Sequence, residues 1–140
     1  MAKLQRRNMT AGSRLVISAG QCVPGARCHV TVDGRMHMCE HGDEHLPIGH
    51  VDTGFDVERI RGLLQGFRAM VEPHCRDCWA VRLCSKCIPN LARGAALSED
   101  LLESICLSRR AVLERDLVDY CSAREQNDDC FASLAVPLNQ

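Results

Sequence analysis

With 140 residues, 46% of them hydrophobic, the chain is long enough to bury one core without cross-links to make up for small size. Its formal net charge of −1 gives no electrostatic basis for binding nucleic acid or an anionic membrane surface. Ten cysteines stand beside one Trp, one Tyr and three Phe, so something other than aromatic packing is expected to organise part of the fold.

Residues 1–20, MAKLQRRNMTAGSRLVISAG, lack a clear period and are read as a linker or lead-in. Their apolar run, Leu15-Val16-Ile17, is far shorter than a secretory core segment. No stretch approaches the ~20 apolar residues that span a bilayer. A cytoplasmic setting is therefore expected, in which thiols stay reduced and metal ligation outranks disulfide formation.

Residues 21–120 form the expected domain and 121–140 a tail. His29-Val30-Thr31-Val32 and Arg35 to Cys39 alternate around Asp33-Gly34, a pair that predicts a hairpin because a tight turn needs the positive φ that glycine supplies. His29 and His37 would then face each other across the strands on the surface. The stretch EHGDEHLPIGHVDTG (40–54) reads as a surface loop. Val57, Ile60, Leu63, Leu64, Phe67, Met70 and Val71 recur at helical spacing behind a capping Asp56, predicting about four turns that stop at Pro73. Gly62 and Gly66 weaken that helix by ~1 kcal/mol each relative to alanine. Ser98-Glu99-Asp100 opens a second, longer helical pattern, Leu101 through Val118, with a break near Ser108 and fraying beyond Tyr120.

Cysteine spacing carries the chemistry. Five residues separate Cys22 from Cys28, and ten separate Cys28 from Cys39. Gaps of two, five and two then join Cys75, Cys78, Cys84 and Cys87, and eighteen residues lead on to Cys106. Two cysteines separated by two residues can turn back on one metal centre, with backbone N–H groups stabilising the sulfur charge. A zinc ribbon usually places a longer stretch between two such clamps, so one zinc on Cys75, Cys78, Cys84 and Cys87 would be cramped and would leave four cysteines unused. Eight cysteines divided four and four suit two iron-sulfur clusters.

The order Cys22, Gly34, Cys39, Cys75, Cys78, Cys84, Cys87, Cys106 resembles the SPASM domain, the twin-auxiliary-cluster extension of radical S-adenosylmethionine (SAM) peptide maturases. The phrases CVPGARCHVTVDGRMHMCE, IGHVDTGFD and CRDCWAVRLCSKC are most similar to maturases that install thioether cross-links in cysteine-rich ribosomal peptides. The likeness covers about residues 21 to 110. It implies an α+β fold, a small β-hairpin plus helices organised around two clusters, with a long C-terminal helix. It further implies that Cys22, Cys28, Cys39 and Cys87 hold the first 4Fe-4S cluster and Cys75, Cys78, Cys84 and Cys106 the second. Two departures stand out: two residues lie between Cys84 and Cys87 where the broad family often has three, and the common IGN is Ile48-Gly49-His50.

No three cysteines follow the CxxxCxxC pattern that holds the SAM-binding cluster, so the chain is not expected to be catalytic alone. The resemblance implies an electron-transfer and peptide-positioning role beside a radical SAM domain or subunit, which would hold the SAM, acting on a ribosomal precursor peptide. The alternative is a redox-inert zinc module that recruits a protein or peptide. Trp79 is expected to be buried, as a cluster shield or a core aromatic. Arg76, Arg82 and Lys86 would offset cluster charge or lie exposed. His41, His45, His50 and His74 read as solvated loop residues, with His50 also considered as an extra ligand, and Cys121 and Cys130 as idle thiols or replacement ligands.

Overall fold

The computed structural model describes residues 27–41, 44–84 and 86–132. The lead-in, Cys22 and the end of the tail lie outside these residues. The described chain is mixed α+β, with two helices, a four-stranded antiparallel sheet and a separate two-stranded hairpin. No helix among the described residues is long and apolar enough to cross a membrane.

Strands β1 (His29–Val30) and β2 (Arg35–His37) form the expected hairpin, and His29 does pair with His37. The loop is longer than an Asp-Gly turn alone. Gly34 N–H donates to the Thr31 carbonyl at 2.9 Å, Thr31 N–H donates to Arg35 at 3.0 Å, and only Gly34 carries positive φ, at 81°. This is the three-residue loop in which glycine takes the left-handed place after the turn. A side chain at Gly34 would also strike the His50 ring at 2.8 Å. Thr31 and Arg35 both bond the Asp33 carboxylate, at 2.5 and 2.6 Å. Those two side-chain bonds, Thr31 first, hold the carboxyl down at about 2.

The stretch expected as a surface loop, 40–54, contains half of the sheet. Strand β3 (Gly49–His50) pairs with β2, and β4 (Gly54–Phe55) pairs with β3. Leu46 and Ile48 are buried. Short glycine-containing strands show no alternating pattern, so sequence periodicity passes over them. Gly49 is required by contact rather than by dihedral, since an added Cβ would sit 2.3 Å from the Gly54 carbonyl oxygen.

Helix α1 (Val57–Cys75) starts at Asp56, whose carboxylate accepts from Arg59 N–H at 2.9 Å while its own N–H donates to Ile48 at 2.8 Å. One residue thus caps the helix and anchors it to the sheet. Pro73 does not end α1. The helix continues to Cys75, and Arg76 N–H still reaches Glu72 O at 3.1 Å. Proline removes one bond near the end of the ladder and leaves the neighbouring bonds intact. Phe67, Val71 and Cys75, four residues apart on one face, are all buried.

A 3-10 turn (Pro89–Leu91) leads into the hairpin of β5 (Ala92–Arg93) and β6 (Ala96–Leu97), a segment the sequence marked only as broken chain. Gly94, at φ 62°, takes the first of its two turn positions. Helix α2 (Glu99–Gln126) is capped by Ser98, whose hydroxyl accepts from Leu101 N–H at 3.5 Å. It passes Ser108 without a break and extends beyond Tyr120 to Gln126. There Arg124 pairs with Asp128, and Phe131 stacks on Tyr120 with ring centroids 5.1 Å apart. Contacts with the returning turn hold the end that propensity marked as frayed.

The core joins Met38, Ile48, Phe67, Val71, Cys75, Ile88, Leu91 and Leu102. It is built mostly from aliphatic and sulfur side chains, with Phe67 its one ring. Burying each large apolar side chain stabilises the fold by about 1.5–3 kcal/mol before conformational entropy is subtracted.

The two kinds of glycine separate in a denaturation series. Gly49→Ala should lose about 1–3 kcal/mol through overpacking. Gly62→Ala, where an added Cβ meets nothing within 4 Å, should gain up to about 1 kcal/mol. Urea midpoints moving together in one direction would contradict this assignment. In an NMR titration the Asp33 carboxylate should have its midpoint near 2 rather than in the usual carboxylate range. Its stabilising effect is present above the unfolded carboxyl's ordinary value and is lost as pH falls through the folded one, and Asp33→Asn should remove that pH dependence.

A candidate sulfur centre

Three cysteines expected in one ligand set arrive at one corner of the core from three segments. Cys75 ends the buried stripe of α1 and is 1% exposed. Cys106 lies one turn beyond fully buried Leu102 on α2, so the position that packs the helix also directs its sulfur inward. Cys84 sits at the end of a coiled run of turns, in which Cys78 N–H donates to Cys75 O at 3.3 Å, Val81 N–H to Cys78 O at 3.1 Å, and Cys84 N–H to Ala80 O at 2.7 Å.

Between these sulfurs lies Lys86. It is only 6% exposed, and its ammonium donates to Cys84 Sγ at 3.6 Å. Burial works to lower its pKa, but a hydrogen bond to Cys75 and the charges of Cys84, Cys75 and Cys106 outweigh that and raise it. Cys106 responds in the complementary way. Burial first, and then the neighbouring Cys75 and Cys84, push its thiol up, while Lys86 and Arg110 pull it down.

The fourth member of that set, Cys78, is half-buried on the same run of turns, three residues after Cys75. The first set is less gathered. Cys22 lies outside the described residues. Cys28 is exposed, with its thiol donating to His29 O at 3.7 Å; Cys39 is buried at the end of the hairpin, and Cys87 is half-buried. Next to Cys39, His37 is 3% exposed and its Nε2 has no hydrogen-bond partner among the described residues. Burial, followed by the positive charge of Arg35, lowers its pKa. The pairing with His29 holds and His29 is exposed as expected, but His37 is buried rather than on the surface.

No three His, Cys, Asp or Glu side chains among the described residues close on a single point as one metal ion would need. No disulfide links two of the described cysteines. Cys121 is exposed on α2, and Cys130 is half-buried in the turn that follows.

Other expected positions resolve as follows. Trp79 is 54% exposed, contrary to expectation, because the turn after Cys78 carries it away from the core that buries Ala80. Arg76 is exposed and pairs with Glu72 at 3.6 Å; Arg82 is exposed as well. His50 is structural: Asp52 N–H donates to Nδ1 at 3.3 Å, which leaves Nε2 to donate to Asp33 O at 3.0 Å. With both ring nitrogens occupied, it ties the β3–β4 turn to the first hairpin. His41 and His74 are exposed; His45 is exposed and its carbonyl accepts from Arg59 at 3.3 Å. Lys86 is the residue sequence reasoning undervalued. Its signal was a cation set between Cys84 and Cys87, two residues before the apolar Ile88.

An open groove of about 790 Å³ runs along α1 beside β6 and the Leu46-Pro47 segment, lined in part by Gly62, Leu63, Gly66 and Leu97. Gly62 makes no contact that a methyl group would disturb.

No family model, curated protein or solved structure matches this chain.

Trp79 is the only tryptophan, so fluorescence reports on one site. Metal-free protein should emit at the long wavelength of a wetted indole and be quenched readily by acrylamide. Blue-shifted, protected emission would contradict the exposed placement.

Proposed function

We propose that the chain is an auxiliary iron-sulfur module of the SPASM type. It carries two 4Fe-4S clusters and serves electron transfer and peptide positioning for a radical SAM partner that modifies a ribosomal precursor peptide. The observation that carries the proposal is the convergence of Cys75, Cys84 and Cys106, from three segments, on the buried Lys86 ammonium. These three belong to the ligand set that the SPASM resemblance implies for the second cluster.

The donor chemistry fits. Thiolates are the usual ligands of iron-sulfur clusters, and a cubane takes its ligands at separate corners, so the sulfurs stand further apart than the four around one zinc ion. Cys75, Cys84 and Cys106, thiol-bearing residues from three segments, all act on the one Lys86 ammonium. For the first set, buried Cys39 stands two residues from His37, whose Nε2 has no hydrogen-bond partner among the described residues, and Cys22 lies outside them.

Cys75, Cys78, Cys84 and Cys106 would hold one cluster, and Cys22, Cys28, Cys39 and Cys87 the other. Such clusters pass single electrons, at potentials set by hydrogen bonds to sulfur, nearby charge and burial. With four protein ligands each, neither would keep an iron open for substrate, which favours relay and scaffolding over substrate ligation. The chain's own residues bury the sulfurs, supply Lys86 and hold the ligand-bearing helix ends in place. For the positioning part of the role, the groove along α1 offers open apolar surface. Radical generation would belong to a radical SAM domain or subunit, since no three cysteines of the given sequence follow the SAM-binding pattern.

Anaerobic purification followed by iron, sulfide and zinc analysis tests the proposal. About eight irons and eight sulfides per chain, with brown visible absorption, are expected for two cubanes. Cys106→Ala should lower both counts by about half, since one of two sites is disabled. Cys121→Ala should leave them unchanged. A colourless, zinc-loaded protein would overturn the proposal in favour of an inert module.

A further inference from the structure

Lys86 remains unexplained by ligation alone. A buried cation is stable only when paired and hydrogen-bonded, and a carboxylate is its ordinary partner. Here the ammonium donates to sulfur, Cys84 at 3.6 Å, with Cys75 and Cys106 close enough to act on its charge. A neutral thiol is a weak acceptor and returns little of the cost of desolvating an ammonium. Thiolate or inorganic sulfide returns far more, because both partners are then charged. The surroundings of Lys86 therefore suit a sulfur centre in its anionic, ligated state better than a set of idle thiols.

We infer that Lys86 is the charge-compensating donor of the second cluster, hydrogen-bonded to its sulfurs and raising its reduction potential relative to a site with a neutral residue at 86. The inference rests on the cluster reading above and adds a determinant that the ligand assignment does not contain. Reduction adds one negative charge to the cluster. A fixed positive charge beside it stabilises the reduced form more than the oxidised one, and the potential rises. Burial strengthens the effect, because little solvent intervenes to screen the lysine. The sulfurs that act on Lys86, namely Cys84 at 3.6 Å together with Cys75 and Cys106, all belong to the second set. Charge at position 86 should thus act more strongly on the second cluster than on the first, whose ligand Cys87 is the next residue along the chain.

The test uses the full chain, reconstituted anaerobically with ferrous iron and sulfide, as wild type, Lys86→Gln, Lys86→Met, Lys86→Arg and Cys106→Ala. Iron and sulfide are counted, and a redox titration is followed by electron paramagnetic resonance. The centre lost in Cys106→Ala identifies the second cluster. In Lys86→Gln and Lys86→Met that centre should move to more negative potential, and further than the other centre, while iron content stays as in wild type. Lys86→Arg, which keeps the charge, should lie nearer wild type. If the methionine variant does not fold, the glutamine and arginine variants carry the comparison. Equal potentials for the second centre in those two overturn the role of Lys86 and leave the cluster reading standing. A wild-type chain that takes up no iron overturns the cluster reading itself.

Discussion

A lysine ammonium shut away from water among three sulfurs constrains this fold more than any other contact. Desolvating a cation is expensive, and the sulfurs around this one come from the end of α1, the run of turns after it and the second turn of α2. None of those segments could move without exposing either the charge or the core residues beside it. Phe67 and Val71 hold α1 in place, Leu102 holds α2, and Ile88 draws the lysine segment inward. Apolar burial supplies the stabilisation, and the polar contact selects one arrangement of the three segments.

The sheet positions this corner from the other side. Asp56 caps α1 and bonds Ile48 of the strand segment, so the helix direction is set where it leaves the sheet. His50 braces two turns at once, and Gly34 and Gly49 allow backbones closer than any side chain would permit. The frame is small, and its precision comes from a few close approaches rather than from long strands. An error at β3 would propagate along α1 to Cys75, because the helix transmits displacement as a rigid element.

Under the proposed function, this division of labour has a chemical rationale. Ligands drawn from element ends and turns allow a cluster to tie distant parts of the chain together, so folding and metal uptake would be coupled. Lys86 would then serve two ends, relieving the repulsion among thiolates and tuning the electron-transfer potential.

Much of the framework was legible in the sequence because it rests on local rules. The hairpin at Gly34, the capped start of α1, the acidic start of α2 and the crowded cysteines follow from φ preference, side-chain capping and spacing. Helical spacing also accounts for Cys75, buried four residues after Val71, and for half-buried Cys106, four residues after Leu102. Elements decided by partners were not legible. β3 and β4 exist because β2 lies beside them, and a two-residue strand containing glycine has no pattern of its own. The last turns of α2 persist because a returning segment stacks Phe131 on Tyr120. Lys86 could be judged buried only after three remote sulfurs were placed around it, and Trp79 exposed only after the turn at Cys78 took its course. Sequence determines local geometry through sterics and hydrogen bonds within a few residues. Which charge is buried, and against what, depends on segments distant along the chain, and tertiary packing alone decides it.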